Sequence, residues 1–392
     1  MKRFIFSLLA VVLGATALAG ADWSSYRVYA PTPRAIQRVA DSELNLLSEV
    51  VGPITDVAAP NDGLLRQLGL KFERTGSLPD PMGPYQRYTD GLDYKTEYLT
   101  LDEIMAQYEE WRAAYPSLIQ REQIGTSHLG RPIWVYRLHN PNGVFPETGV
   151  FIHGAIHARE WISPPTCMYV FESMLKEALT SSAGWELITR YELSVVPVLN
   201  PDGYAHTWST FRMWRKNRRD NGGGVYGVDL NRNYSKGWGG QGSSGDPGSD
   251  TYRGPFAFSE PEVACVRDYL NARTATVPFN FIIDYHSYGE YVLYPWSYTF
   301  NPAPDAARLH AVGTQYNNAM IASGGHSYQV GQGSTTLYIA AGTSKDFYYD
   351  QYGADAFTVE LRGPGFDPPA SSILPTIREN WAGFRAVLRS LL

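Results

Sequence analysis

Hydrophobic and polar positions follow two periods along this chain, and the switches between them predict most of its elements. Near the start, "YRVYA" alternates as a strand. "TPRAIQRVADSELNLLSEV" then has the 3.6-residue period of an amphipathic helix, with Pro33 near its beginning. "ITDVAAP" and "LKFER" read as two further strands, with "NDGLLRQLG" between them as a short helix N-capped by Asn61. Residues 20–75 are therefore expected to form a small α/β unit. "TGSLPDPMGPYQRYTDGLDYKTEY" breaks the pattern with prolines and glycines, so residues 76–96 read as a linker. Arg87 and Lys95 lie there as candidate cuts for a trypsin-like protease.

Beyond the linker, "LTLDEIMAQYEEWRAAYP" predicts a helix capped by Thr100, with Glu103 three residues on to complete a capping box. "REQIGTSHLGRPIWVYRL" predicts a hairpin turning at Leu129-Gly130. Apolar strand-like runs then recur between helices, as in a sheet buried on both faces. Residues 97–392 are expected to be one α/β domain, a mixed, largely parallel twisted β-sheet flanked by helices on both faces. The Gly/Ser-rich piece from Gly237 to Gly254 carries aromatics and proline, which favours an ordered surface loop.

The first segment changes the picture. "MKRFIFSLLAVVLGATALAG" has Lys2 and Arg3, an apolar run from Phe4 to about Leu13, and the small-x-small triplet Ala17-Leu18-Ala19. The run falls short of the ~20 residues a membrane span needs. Residues 1–19 are expected to be a signal peptide, and the protein secreted or periplasmic, with no membrane association once the signal is removed. Hydrophobic residues at 44% and charged residues at 18% indicate a globular chain. A net charge of −6 argues against a nucleic-acid partner. The 27 tyrosines and 10 tryptophans exceed what a core alone needs and suggest aromatic-walled clefts. Cys167 and Cys265, each in a predicted helix and without metal-ligand spacing, are expected to be free, buried thiols.

Three apolar runs end in groups that zinc hydrolysis requires. "GVFIHGAIHARE" ends near His157 and Glu160, "FNFIIDYHSY" near His286, and "AFTVELRG" near Glu360. Any one of them alone reads as readily as a satisfied core histidine or a solvated face. Together they suggest a site, because α/β sheets gather their sites outside the carboxyl ends of strands. Two imidazoles and a carboxylate with one open position form a catalytic zinc set, and a further glutamate can take a proton from water. His153 belongs to the strand "VFIHG", and Gly154 breaks the helical register that would pair it with His157. It is expected to support the site or the fold.

The motifs "HAREW", "NPDGY", "MWRKNRR", "VDLNRNY", "YRGPFAFSEPE", "DYHSYGEYVLYP", "TLYIAAGTSKDF" and "TVELRG" follow one another in order. From about Glu97 to the C-terminus the chain resembles the zinc metallocarboxypeptidases of the pancreatic carboxypeptidase A/B type, which are secreted with a pro-segment. The resemblance implies the zinc carboxypeptidase fold, one Zn2+ per chain, and hydrolysis of the C-terminal peptide bond of peptides and proteins to release single amino acids. By position, His157, Glu160 and His286 match the zinc ligands, and Glu360 the general base. Arg215 matches the cation that meets the oxyanion of the tetrahedral intermediate. Asn231 and Arg232 match the pair that grips the substrate's terminal carboxylate, for which a guanidinium fork is suited. Tyr338 matches the tyrosine that closes over that carboxylate. Arg159, Ser287 and Tyr288 match residues along the next stretch of the cleft, and Asp229 the carboxylate that orients the first zinc histidine.

The side-chain pocket departs from the best-known branches. Lys345 stands where the A type is typically apolar and the B type has aspartate, and Ser297 and Gly333 align with wall positions that leave room. A lysine there suggests a preference for C-terminal Glu or Asp. The cysteines often found in the loop around "YRGPFAFSEPE" are missing. Residues 20–75 resemble, by layout, a pro-segment acting as an intramolecular inhibitor. Two other readings stay open, a zinc amidase acting on cell-wall peptides or N-acyl amino acids and an inactive peptide-binding homologue. His128, His139, His206, His310 and His326 receive no role.

Overall fold

The computed structural model of the chain describes residues 23–29, 32, 35, 45–46, 54–59, 62–78, 93–140 and 148–391. The chain divides into two compact units, Met1–Arg87 and Tyr88–Leu392. In the first, strands β1 (Trp23–Tyr29), β2 (Asn45–Leu46) and β3 (Ile54–Ala59) precede helix α1 (Gly63–Gln67) and strand β4 (Lys71–Leu78). They form an antiparallel sheet in the order β2-β3-β1-β4. Tyr26 and Val28 of β1 are buried while Arg27 between them is exposed, the alternation of a sheet with one covered face. One expectation is corrected here. The helical period was read through to Val50, but Asn45 and Leu46 pair with Ala58 and Val57 as a strand. Cross-strand hydrogen bonding outweighs a local helical preference of a few tenths of a kcal/mol per residue. Most of the rest of that expected helix, the Asn61 cap, the expected signal peptide and Arg87 lie outside the described residues.

The second unit begins with α2 (Leu101–Ala114), whose capping box is complete: Glu103 N donates to Thr100 Oγ, and Thr100 N donates to Glu103 Oε2 at 2.8 Å. Next come β5 (Ile119–Thr126) and β6 (Pro132–Leu138), a hairpin with Gly130 at φ 84° in its turn. β7 (Thr148–His153), α3 (Ser163–Thr180), α4 (Ser182–Arg190), β8 (Tyr191–Val196) and α5 (Pro201–Ser209) follow. Then come α6 (Pro261–Thr274), β9 (Phe279–Ser287), β10 (Tyr291–Tyr294), α7 (Ala306–Ala322) and β11 (Gln329–Gln332). α8 (Ser344–Tyr352), β12 (Asp355–Leu361) and α9 (Ile373–Ser390) complete the unit.

The eight strands form one mixed sheet in the order β11-β10-β12-β9-β7-β8-β6-β5, with four of seven pairings parallel. α6 and α8 cover one face, packing Val266, Leu270, Phe347 and Tyr348 against Phe151, Ile282 and Ala356. α7 and α9 cover the other, where Phe281 meets Phe357 and Phe384. Each large apolar side chain buried this way contributes ~1.5–3 kcal/mol. Cover on both sides explains why β8 is buried at all six positions, its Glu192 paired with Arg273 and its Ser194 with the Tyr269 hydroxyl.

Alternation then decides where the polar ends go. Phe151, Ile282 and Ala356 point into the core shared with α8. Two residues on along β7 and β9, and four on along β12, His153, Asp284 and Glu360 leave from the same face, with His286 one further step along β9. β7, β9 and β12 are adjacent and parallel, so these groups collect at one edge of the sheet. Both cysteines are free and buried, Cys167 in α3 and Cys265 in α6. The Gly237–Gly254 segment is ordered, tied by a Ser244–Tyr252 bridge and by Lys216 Nζ, which donates to Pro247 O and Ser249 O at 2.9 Å each. Among the described residues, no helix is long and apolar enough to cross a membrane.

Candidate active site

The chain leaves β7 in a tight turn that brings His157 and Glu160 back across the sheet edge. Gly154 permits it: a Cβ there would lie 3.1 Å from both Cys167 Sγ and the Ser163 backbone. Ser163 Oγ donates to Glu160 O at 2.8 Å and accepts from Ala155 N at 2.9 Å, closing the turn from the start of α3. His286 reaches the same point from β9. His157 Nδ1 is 2.8 Å from Glu160 Oε1, His286 Nδ1 is 3.1 Å from Glu160 Oε2, and the two Nδ1 atoms are 3.1 Å apart. All three side chains are buried.

The far nitrogen of each ring faces a carboxylate, which orients the near one. His157 Nε2 lies 3.0 Å from Asp229 Oδ1, and His286 Nε2 lies 2.8 Å from Asp284 Oδ2. With Nε2–H donating outward, the two Nδ1 lone pairs and the Glu160 carboxylate converge on one point. Acceptors so close repel one another, and a dication among them satisfies all three. Zn–N bonds of ~2.0–2.1 Å put tetrahedral ligands ~3.3 Å apart, close to the spacings here. The donor set therefore fits zinc, with one coordination position left open. Burial pushes the Glu160 carboxyl up, but the two imidazoles outweigh it and hold that carboxyl well below its ordinary range. His286 is opposed by burial and yet held well above the usual imidazole value by Asp284 and Glu160.

Glu360 is the register partner of His286 on the neighbouring strand, so the two side chains stand next to each other. It is partly exposed. Desolvation, with Glu160 and Asp284 nearby, pushes its carboxyl up to about 7 against the pull of His286 and Arg215. Arg215 donates to Asp229 Oδ2 through Nη2 at 2.9 Å and Nε at 3.2 Å, and its Nη1 is 4.0 Å from Glu160. Asp229 also accepts from Asn231 N at 3.0 Å, capping the turn that presents Asn231 and Arg232. A cleft of about 470 Å3 opens here, lined among others by Arg159, Arg215, Arg232, Asp250 and Tyr338. Three guanidiniums against one carboxylate make it suited to an anionic end group.

A zinc carboxypeptidase family (Peptidase_M14) matches residues 104–383. The chain belongs to that family. Carboxypeptidase A4 of Mus musculus is 32% identical over 342 residues, which is 84% of this chain and 80% of that protein. Carboxypeptidase B of Astacus astacus is 36% identical over 298 residues, 74% of this chain and 96% of its own length. Among solved structures, bovine thrombin-activatable fibrinolysis inhibitor in complex with tick carboxypeptidase inhibitor aligns with a TM-score of 0.70 at 33% identity. That alignment covers 76% of this chain and 99% of that one. This protein is thus a metallocarboxypeptidase with the zinc carboxypeptidase fold. The relatives are carboxypeptidases, which does not favour the amidase alternative.

The remaining residues expected at the site from the sequence are distributed unevenly. Arg159 stacks on Phe366, 4.0 Å from the ring centroid, and its Nη1 is 3.8 Å from Asp250. Tyr288 is half exposed against the same Phe366 ring, and Tyr338 is half exposed at the cleft. Ser287 acts through its backbone, its N donating to Glu160 Oε2 at 3.1 Å. Arg232 is anchored by Nε to Gly242 O at 2.7 Å and by Nη1 to Asn231 O at 2.8 Å. Asn231 is turned inward: its Oδ1 accepts from Ser344 N at 2.8 Å and its Nδ2 is 3.1 Å from His286 Nε2.

Lys345 is buried at the start of α8, with Nζ bonded to Ser297 Oγ and 3.7 Å from Asp346 Oδ1. Burial pushes its ammonium pKa down, with Asp346 opposing. A Cβ at Gly333 would run into Ser297 Oγ and lie 2.9 Å from Lys345 Nζ, so the glycine keeps this end open. Sequence reading missed Asp284, Asp250 and Phe366. Only Asp284 left a local signal: Asp-x-His on a strand puts both side chains on one face. His153 lies behind it, with Nδ1 3.2 Å from Asp284 Oδ1 and Nε2 3.1 Å from the Tyr348 hydroxyl.

Proposed function

We propose that His157, Glu160 and His286 hold one zinc ion and that this carboxypeptidase removes single residues from peptide C-termini with Glu360 as general base. Zinc, when bound, supplies a Lewis acid for the scissile carbonyl and for water. Glu360 takes the proton of the attacking water and returns it to the leaving amine. A carboxyl raised by burial suits both halves of that transfer near neutral pH. Arg215 meets the oxyanion as charge develops on the carbonyl oxygen, and Asp229 holds its guanidinium in place beforehand. Arg232 and Tyr338 bind the terminal carboxylate, joined by Asn231 once its Nδ2 turns from His286 toward the cleft, and Arg159, Ser287 and Tyr288 receive the preceding part of the peptide. The convergence of the three acceptors beside Glu360 is the observation that carries this reading.

The terminal side chain meets Lys345, whose ammonium gives the pocket a preference for Glu or Asp. Gly333 supports that preference by leaving room beside Nζ, and Asp346 weakens it by sharing the charge. The chain is read as an exported proenzyme: residues 1–19 are removed as a signal, residues 20–75 inhibit the cleft, and a cut in residues 76–96 activates it. Of the two candidate cuts, Arg87 is favoured, since Lys95 Nζ pairs with the buried Glu172 at 2.9 Å.

Hydrolysis of a blocked dipeptide tests the mechanism. A chelator should abolish it, and Glu360→Gln should lower kcat by roughly 10²–10⁴-fold with zinc content unchanged. Activity surviving both would refute the assignment. For the pocket, matched peptides ending in Glu, Phe and Lys are compared. Glu should lead, and Lys345→Met should cost it roughly tenfold or more against Phe; equal rates in the wild type would sink the acidic preference.

A further inference from the structure

We infer that Asp284 is a positioning residue of the metal centre, the partner through which His286 is oriented, and that Ser344 and His153 hold it in place. The inference rests on the zinc reading above. Strand geometry makes it possible: Asp284 and His286 are two apart on β9, hence on one face, and both are buried. Asp284 Oδ2 lies 2.8 Å from His286 Nε2 and also accepts from the Ser344 hydroxyl at the start of α8. Oδ1 faces His153 Nδ1 across the β7–β9 pairing, in which His153 and Asp284 are register partners. The carboxylate is thus hydrogen-bonded through Oδ2 from β9 and α8, while Oδ1 has His153 of β7 in ionic contact without a hydrogen bond. The Oδ2 contact aims His286 Nδ1 at Glu160 and His157.

Charge separates this arrangement from the one behind His157. Asp229 is matched by Arg215 at 2.9 Å and by Arg232 at 3.9 Å, so its charge is balanced whether or not a metal is bound. Among the described residues, no arginine or lysine is in ion-pair contact with Asp284; its ionic partners are His153 and His286. A buried carboxylate without a cation is costly. A dication bound through the His286 ring would add positive charge beyond what the two histidines supply. The same contact makes the imidazole a stronger donor to that cation. A merely structural carboxylate would stabilise the chain equally with and without metal; this one ties its benefit to the ion.

The test measures zinc affinity of the full chain by competition with a chromophoric chelator, alongside melting of the metal-free and zinc-loaded forms. Asp284→Asn should bind zinc roughly 10–100-fold more weakly. It should gain less melting temperature from zinc than wild type does, and shift the visible bands of the cobalt-substituted protein. A dissociation constant within twofold of wild type with unchanged cobalt bands would overturn the inference, as would a loss of stability equal in both forms. Should Asp284→Asn not fold, Ser344→Ala removes one support. It should show a smaller loss of zinc affinity in the same direction, and wild-type affinity would overturn the proposal. Wild-type chain that takes up no zinc would instead refute the parent reading of the metal site.

Discussion

Among the described residues, two clusters join histidine to carboxylates closely enough to hold a metal: His157–Glu160–His286, and His128–Glu260–Glu262 beside the β5–β6 hairpin. By residue type they look alike; by hydrogen bonding they are opposites. In the first, acceptors face acceptors, and apart from Ser287 N, which donates to Glu160, the nearby donors are used on the carboxylates behind the histidines. In the second, donors already occupy both oxygens of Glu260 and one oxygen of Glu262. Glu260 takes His128 at 2.8 Å, Asn217 at 2.8 Å, Arg219 at 3.0 Å and Ser259 at 2.6 Å. Glu262 accepts from Asn217 at 3.2 Å, and burial pushes its carboxyl up to about 7, toward the neutral form. A metal centre is recognised by what its acceptors lack, and counting ligands alone does not reveal that.

The sharpest way to break the comparison is a pair of alanines. His286→Ala should lose bound zinc and all peptidase activity, whereas His128→Ala should keep one zinc per chain by elemental analysis. Zinc lost from the second variant, or kept in the first, would reverse the assignment.

A smaller effect is expected from pH. Asp284 and Glu160 hold His286 protonated above its usual range, so zinc must displace that proton. Affinity should rise with pH by up to about tenfold per unit while the proton is being displaced. Proton release on adding zinc in weak buffer measures it directly, and binding without release would show that His286 has no proton to displace.

The smallest effect concerns the second cluster. Glu262 keeps its proton in the fold between its ordinary 4.5 and about 7, while the unfolded chain gives it up, so stability contributed here falls as pH rises through that window. His128, raised by Glu260, acts in the same direction, its contribution present at low pH and lost above its raised value. Glu260, lowered mainly by His128 and Ser259 against burial, changes only at more acid pH. Glu262→Gln should therefore gain on wild type in melting temperature between pH 5 and pH 7.5. A difference independent of pH would show that Glu262 does not titrate in the fold.

Much of the site was legible because strands ended on the groups that matter: the runs before His157, His286 and Glu360 are local patterns. The helix cap at Thr100 and the turn at Gly130 are local too, and the structure has them where they were read. What escaped needed a partner from elsewhere. Asp284 looked like one more strand residue until Ser344 and His153 closed on it. Asn45 and Leu46 carried a helical period that only β3 could override. The inward turn of Asn231 depends on Ser344, 113 residues away. Asp250 meets Arg159 across a loop whose path no periodicity describes.

The pairing of Glu360 with His286 across two parallel strands has a consequence for anyone making this protein. A slip of β12 by one residue would turn Glu360 to the opposite side of the sheet while β7 and β9 kept the three acceptors together. Metal content and turnover would then part company. In a refolded batch with full zinc, the fraction of expected activity counts the molecules whose central strands found the right alignment. An assay for the reaction doubles as an assay for the fold.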